Sequence, residues 1–317
     1  MLRDQAYALL GLDDFDEDKH PRGDHGRFAA SGRESHVEAS KGGKEGKEFV
    51  TKEGHSLPAH IQGTKIPPAW TNVTYATDPK AELLVTGKDA KGRPQAIYSK
   101  EYSAKTAAEK FARVKDLSEK ADKIKAENDA HLKSADPEKR EAAACAALVM
   151  ATGIRPGGTG NTGAEKQAYG ATTLEGRHVS VSKDGKVTLN FVGKKGVNLK
   201  ISVEDAKVSA MLVERKEAAG NKGKLFQTSE SKLLDHVHTL NGGSFKTKDF
   251  RTLLGTKTAM DHVEKMSTPK TEKEYKKSVM TVAKAVSAKL GNTPNVALQA
   301  YINPSVFSGW RSYANVA

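Results

Sequence analysis

Between residues 178 and 203 the hydrophobic pattern alternates every second residue, inside a half of the chain that otherwise repeats at helical spacing. His178-Val179-Ser180-Val181-Ser182 alternates, Lys183-Asp184-Gly185-Lys186 follows, and Val187-Thr188-Leu189-Asn190-Phe191-Val192 alternates again. A period of two sends successive side chains to opposite faces of a strand, and Asp-Gly suits the positive-φ turn that joins antiparallel neighbours. Gly193-Lys194-Lys195-Gly196 makes a second tight turn before a third strand, Val197 to Val203. The pattern predicts a three-stranded antiparallel meander inserted into a mainly helical domain.

Helical spacing surrounds it. Phe111, Val114, Leu117, Ala121 and Ile124 fall on one face of a stretch from Ala104 to Leu132 dense in Ala, Lys and Glu. Pro137 suits a first helical turn, so a second helix is expected from Glu138 to about Thr152. Helical patterns resume after Val203, with interruptions at Gly220 to Gly223 and Gly242-Gly243, and a further break is expected near Pro294. Ahead of this, Trp70 to Tyr75, Leu83 to Gly87 and Ala96 to Tyr98 read as strands around a polar turn, Lys88 to Arg93. His20 to Lys47 has almost no large apolar residue and cannot bury enough surface to offset its ordering entropy. The expected architecture is α+β in three parts. Residues 1–57 form a largely disordered extension, 58–103 a small β-rich domain, and 104–317 the helical domain with its meander.

The net charge of +12 and pI near 9.4 point to a polyanionic partner, since cations set against phosphates release condensed counterions. Cys145 is the only cysteine, which excludes an internal disulfide and any multi-cysteine zinc site and fits a reducing compartment. It sits in an alanine-rich run and reads as a small buried filler. The longest apolar run, Ala142 to Thr152, is too short to span a bilayer, and the acidic N-terminus does not resemble a signal peptide. There is no His-Glu-x-x-His word and no carboxylate cluster of the two-metal kind; His236 and His238 read as structural or solvated. Gly158 to Gly163 matches a dinucleotide-binding pattern only formally, because a helix and a proline precede it rather than a buried strand.

Four short words carry the chemistry when taken together: Thr152-Gly153-Ile154-Arg155, Phe191 to Gly196, Lys248-Asp249-Phe250-Arg251-Thr252, and Leu290 to Pro294 with Ala300-Tyr301-Ile302. In this order and spacing they resemble the catalytic set of the type IB DNA topoisomerases of poxviral and bacterial kind. Ile66 to Val73, Thr86 to Arg93 and Tyr169 to Leu174 with His178-Val179 extend the resemblance over roughly residues 60–310. It implies that Tyr301 is the nucleophile, attacking phosphorus to give a 3′-phosphotyrosyl link and a free 5′-hydroxyl. Arg155, Arg251 and Asn292 would hold the non-bridging oxygens, Lys194 would protonate the leaving oxygen, and Lys248 would assist it.

These residue types suit the task. Guanidiniums present a planar fork of donors and stay charged, an amide adds a neutral donor, and a phenol with pKa near ~10 needs a cationic surround. The resemblance further implies relaxation of supercoiled duplex DNA without ATP, metal or other cofactor. The enzyme would be a monomer gripping DNA between its two domains, in the cytoplasm of a bacterial or phage-infected cell or within a virion. Three features depart from the family pattern, one of them Lys195, which occupies a place often held by a different residue beside Lys194. Pro156 and the glycine-rich run to Gly163 replace a Val-Gly and an acidic helical stretch, and Pro94 stands where a basic residue is usual. A tyrosine recombinase shares the chemistry, but typically carries His where Lys248 stands and lacks the words from Ile66 and Gly87. A DNA-binding protein that keeps the fold without catalysis is the other rival.

Overall fold

A computed structural model describes residues 36–42, 46, 48–158, 167–242 and 245–315. Most of the polar extension and of the Gly158–Gly163 stretch lies outside them. The chain divides into two compact units, one within residues 16–109 and one from Lys110 onward. No helix among the described residues is long and apolar enough to cross a membrane.

The first unit holds a four-stranded antiparallel sheet in the order β1-β4-β5-β6, from His36–Glu38, Thr71–Ala76, Leu83–Lys88 and Pro94–Tyr98. Strands β2 (Ser40–Gly42) and β3 (Glu48–Val50) pair separately. Alternation along β4 buries Val73 and Tyr75, which pack with Leu57, Ile61, Trp70 and Val85. Strands β1 to β3 lie in the stretch that the sequence assigns to the polar extension. Each has only three residues, and β1 gains its order by pairing with the edge of β4, His36 opposite Ala76.

The second unit is mainly helical. The stretch expected as one helix from Ala104 is two, α1 (Lys100–Glu119) and α2 (Ala121–His131), parted at Lys120, whose φ of −100° and ψ of 3° leave the helical region. Helix α3 (Pro137–Thr152) starts at an Asp136 cap that accepts from the Glu138 amide, with Pro137 in the first turn. Its alanine-rich body, including a fully buried Cys145 whose thiol pKa burial pushes up, runs through the core. The meander follows as β7 (Val179–Val181), β8 (Val187–Val192) and β9 (Asn198–Val203), ordered β7-β8-β9 with Leu189 opposite both Val179 and Ile201. Inward residues Val187, Leu189, Phe191, Ile201 and Val203 join the core around α3. Helices α4 (Ala206–Ala219), α5 (Glu230–Thr239), α6 (Thr247–Glu264) and α7 (Glu272–Leu290) complete the unit. The break expected near Pro294 is present: Gly291 ends α7 at φ 62°, a short turn spans Pro294–Val296, and Ala297–Tyr301 form a π-helical turn.

His236 is on α5 rather than on a strand, is 7% exposed, and shares a hydrogen bond of 2.8 Å with Asn128 Oδ1. Burial, with neighbouring His131 and Lys139 adding to it and Glu127 opposing, pushes its pKa down to about 4. Above the ordinary histidine pKa both folded and unfolded chains are neutral here. As pH falls toward 4 only the unfolded chain takes the proton, so the folded state loses about 3 kcal/mol across that window. Denaturant unfolding at pH 7 and pH 4.5 should show this loss, and His236→Gln should remove much of it. Equal pH dependence in both proteins would show that His236 is not the group responsible.

Candidate active site

Two helices of the second unit end in the same way, and each end delivers a residue of interest. Helix α3 stops at Gly153 and α7 at Gly291, both with φ of 62°, a left-handed conformation in which glycine avoids the Cβ clash. Arg155 follows the first glycine and Asn292 the second. Helix ends leave carbonyls without intrahelical donors. Arg251, 3% exposed on α6, supplies them: one terminal nitrogen donates to Gly153 O at 2.8 Å and the other to Leu290 O. A single buried guanidinium therefore ties the two helix ends together.

Tyr301 closes the arrangement. Its ring lies with its centroid 4.9 Å from Arg251 Cζ and 6.0 Å from Arg155 Cζ, inside cation–π range for both. Tyr301 is 6% exposed, at the end of the π-helical turn. Lys110 Nζ on α1 donates to Ala300 O at 3.0 Å, and Thr256 Oγ1 on α6 donates to Tyr301 O at 3.2 Å. Gly255 lets this turn approach α6, because a Cβ there would stand 2.7 Å from Tyr301 O and 3.0 Å from Tyr301 Cβ. Gly255→Ala should consequently displace the tyrosine. An activity loss of about tenfold or more with a modest stability cost, about 1–3 kcal/mol, is expected. Activity assays with a thermal melt check this, and wild-type activity would refute it.

Lys194 stands exposed on the β8–β9 turn, where Gly193 N donates to Val197 O at 2.7 Å. It lines one narrow cleft with Arg155, Arg251, Tyr169 and Leu199. The Nδ2 and Oδ1 atoms of Asn292 are buried and make no hydrogen bond to any described residue. A buried amide left unpaired is costly unless something else engages it. Lys248 is exposed on the first turn of α6 and is not among the cleft-lining residues. Behind it, buried Asp249 takes two hydrogen bonds from Arg113, at 2.7 and 3.1 Å, and one from the Lys246 amide at 2.9 Å.

Residues 155–157 pack against residues 170–172 through backbone contacts. Ala171 N and Thr172 N donate to Arg155 O and Pro156 O at 2.9 and 2.8 Å. Gly157, at φ 79°, and Gly170 pass so closely that a Cβ on either would meet the other's backbone within 2.7 Å.

The structure thus gathers Arg155, Lys194 and Arg251 around one cleft and lays Tyr301 against both guanidiniums, while Asn292 follows the α7 end and, like Lys248, is not among the residues that line the cleft. Sequence reasoning missed Lys110, Arg113, Thr256 and Leu199, which carry no distinguishing pattern. Gly255 did have one: an isolated glycine inside a helical pattern often has a packing reason.

Tyr301 is thus buried with two guanidiniums in reach of its ring, in a chain of net charge +12. Residues 99–305 match the family described as eukaryotic DNA topoisomerase I, catalytic core. A DNA topoisomerase 1B of Acanthamoeba polyphaga mimivirus is 28% identical over 262 aligned residues, covering 76% of each chain. The chain belongs to the eukaryotic-type DNA topoisomerase I family and is a type IB topoisomerase.

Proposed function

We propose that this enzyme relaxes supercoiled duplex DNA by cutting and resealing one strand through Tyr301. Tyr301 Oη bonds to phosphorus while its proton passes to water. The bond from phosphorus to the 5′-oxygen breaks, and that oxygen takes a proton from Lys194. The products are a 3′-phosphotyrosyl link and a 5′-hydroxyl. Reversal reseals the strand with no net change in bonds, so neither ATP nor a metal ion is consumed or required. Arg155, Arg251 and the Asn292 amide stabilise charge on the non-bridging oxygens, the largest contribution open to a site of this kind. Lys248, exposed one turn before Arg251, would assist that proton transfer, a role that rests on the family resemblance. Duplex DNA is the partner, held mainly through phosphates, with residues 58–103 adding contacts; binding weakens steeply with salt.

The observation that supports this reading is the tyrosine ring against two guanidiniums that line one cleft with Lys194. A protein that merely bound DNA would have no use for that set. Plasmid relaxation in EDTA without ATP is the test. Relaxed topoisomers are expected, whereas a mobility shift without relaxation would leave a binding protein.

A further inference from the structure

Gly193 and Gly291, the residues before Lys194 and Asn292, lie nearly a hundred residues apart in sequence, and both pack against the side chain of Leu199. Leu199 on β9 is partly buried against the main core and lines the cleft with Lys194, Arg155 and Arg251. Gly193, the residue before Lys194, leaves room for one of its methyls: a Cβ there would stand 2.6 Å from Leu199 Cδ1. Gly291, the residue before Asn292, leaves room for the other, since a Cβ there would overlap Leu199 Cδ2. Gly193 has φ −92° and ψ −170°, a backbone that other residues adopt readily, so space rather than conformation is what glycine provides there. The Gly193–Val197 hydrogen bond makes Leu199 and the Lys194 turn parts of one hairpin. Its far methyl seats that hairpin on the end of α7.

We propose that Leu199 is a positioning residue for strand cleavage, setting the ammonium of Lys194 at the leaving oxygen relative to the amide of Asn292. This rests on Lys194 being the proton donor. Misplacing a catalytic group by about 1 Å costs on the order of 10²-fold in rate, and the loss should fall on the step that needs the proton. A substrate with sulfur in place of the bridging 5′-oxygen isolates that step. A thiolate leaves unprotonated, its conjugate acid having a pKa near ~8.5 rather than that of an alcohol.

The experiment measures single-turnover cleavage by the full-length enzyme of matched oxygen- and sulfur-bridged duplexes, with thermal melts of every variant. Leu199→Ala should cleave the oxygen substrate about 10²-fold slower than wild type and the sulfur substrate within about threefold of it. Gly193→Ala, which pushes the turn from the other side, should show the same split and serves if Leu199→Ala does not fold. In the double variant the new Cβ refills the space the leucine methyl vacated, and part of the rate should return. Equal slowing on both substrates, or no slowing on either, overturns the proposal. Lys194→Ala is the control: if sulfur fails to rescue it, the proton-donor assignment is wrong and the proposal falls with it. Rescue of Lys194→Ala but not of the Leu199 and Gly193 variants overturns the positioning role alone.

Discussion

Tyr301→Phe should abolish plasmid relaxation, with a loss on the order of 10⁴-fold or more, and leave duplex binding nearly unchanged. The substitution removes one oxygen from a ring that is already buried, so the packing around the π-helical turn survives and stability should move by about 1 kcal/mol. If Tyr301 Oη is the proposed nucleophile, its removal leaves only the residual effect of the charges around it. Binding draws mainly on phosphate contacts with many cations and is insensitive to one hydroxyl. Relaxation and filter-binding assays on the same preparation separate the two quantities. A joint loss of relaxation and binding would instead make Tyr301 a structural residue.

Arg251 carries the second large effect, and here two roles must be separated. Its guanidinium links the carbonyls of Gly153 and Leu290, so Arg251→Ala should both halt cleavage and destabilise the fold by about 2–4 kcal/mol. Arg251→Lys keeps the charge, but a single ammonium cannot reproduce the planar fork that reaches both helix ends while facing the tyrosine ring. Cleavage should fall on the order of 10²–10³-fold, with a smaller stability loss than for alanine. Cleavage by Arg251→Lys within a fewfold of wild type would mean that this arginine serves the helix ends alone.

The meander was legible because its alternation and its Asp184-Gly185 turn are local signals. So was the start of α3, where Asp136 and Pro137 sit at the positions that cap and open a helix. The same was true of the break before Pro294. Strands β1 to β3 were not, because three-residue strands gain their order from pairing with a neighbour and not from a hydrophobic pattern of their own. The parting of α1 from α2 at Lys120 leaves no mark either, since the run of Ala, Lys and Glu continues across it.

At the site, the identities of Tyr301, Arg155, Arg251, Lys194, Asn292 and Lys248 come from short words matched to a family, and sequence spacing could suggest no more than that. That Arg251 joins two helix ends, that Lys110 grips the carbonyl before the tyrosine, and that Leu199 fits between two glycines are facts of three-dimensional packing. The glycines themselves were visible, but the contacts they permit were not.

A nicked duplex that loses its 5′-hydroxyl fragment on cleavage traps the enzyme on the remaining strand, and peptide mapping of that adduct addresses the central claim most directly. The account predicts one modified peptide, containing Tyr301 joined to a 3′-phosphate end, formed in EDTA and without ATP. Absence of an adduct, attachment at another side chain, or linkage to a 5′-phosphate would contradict it.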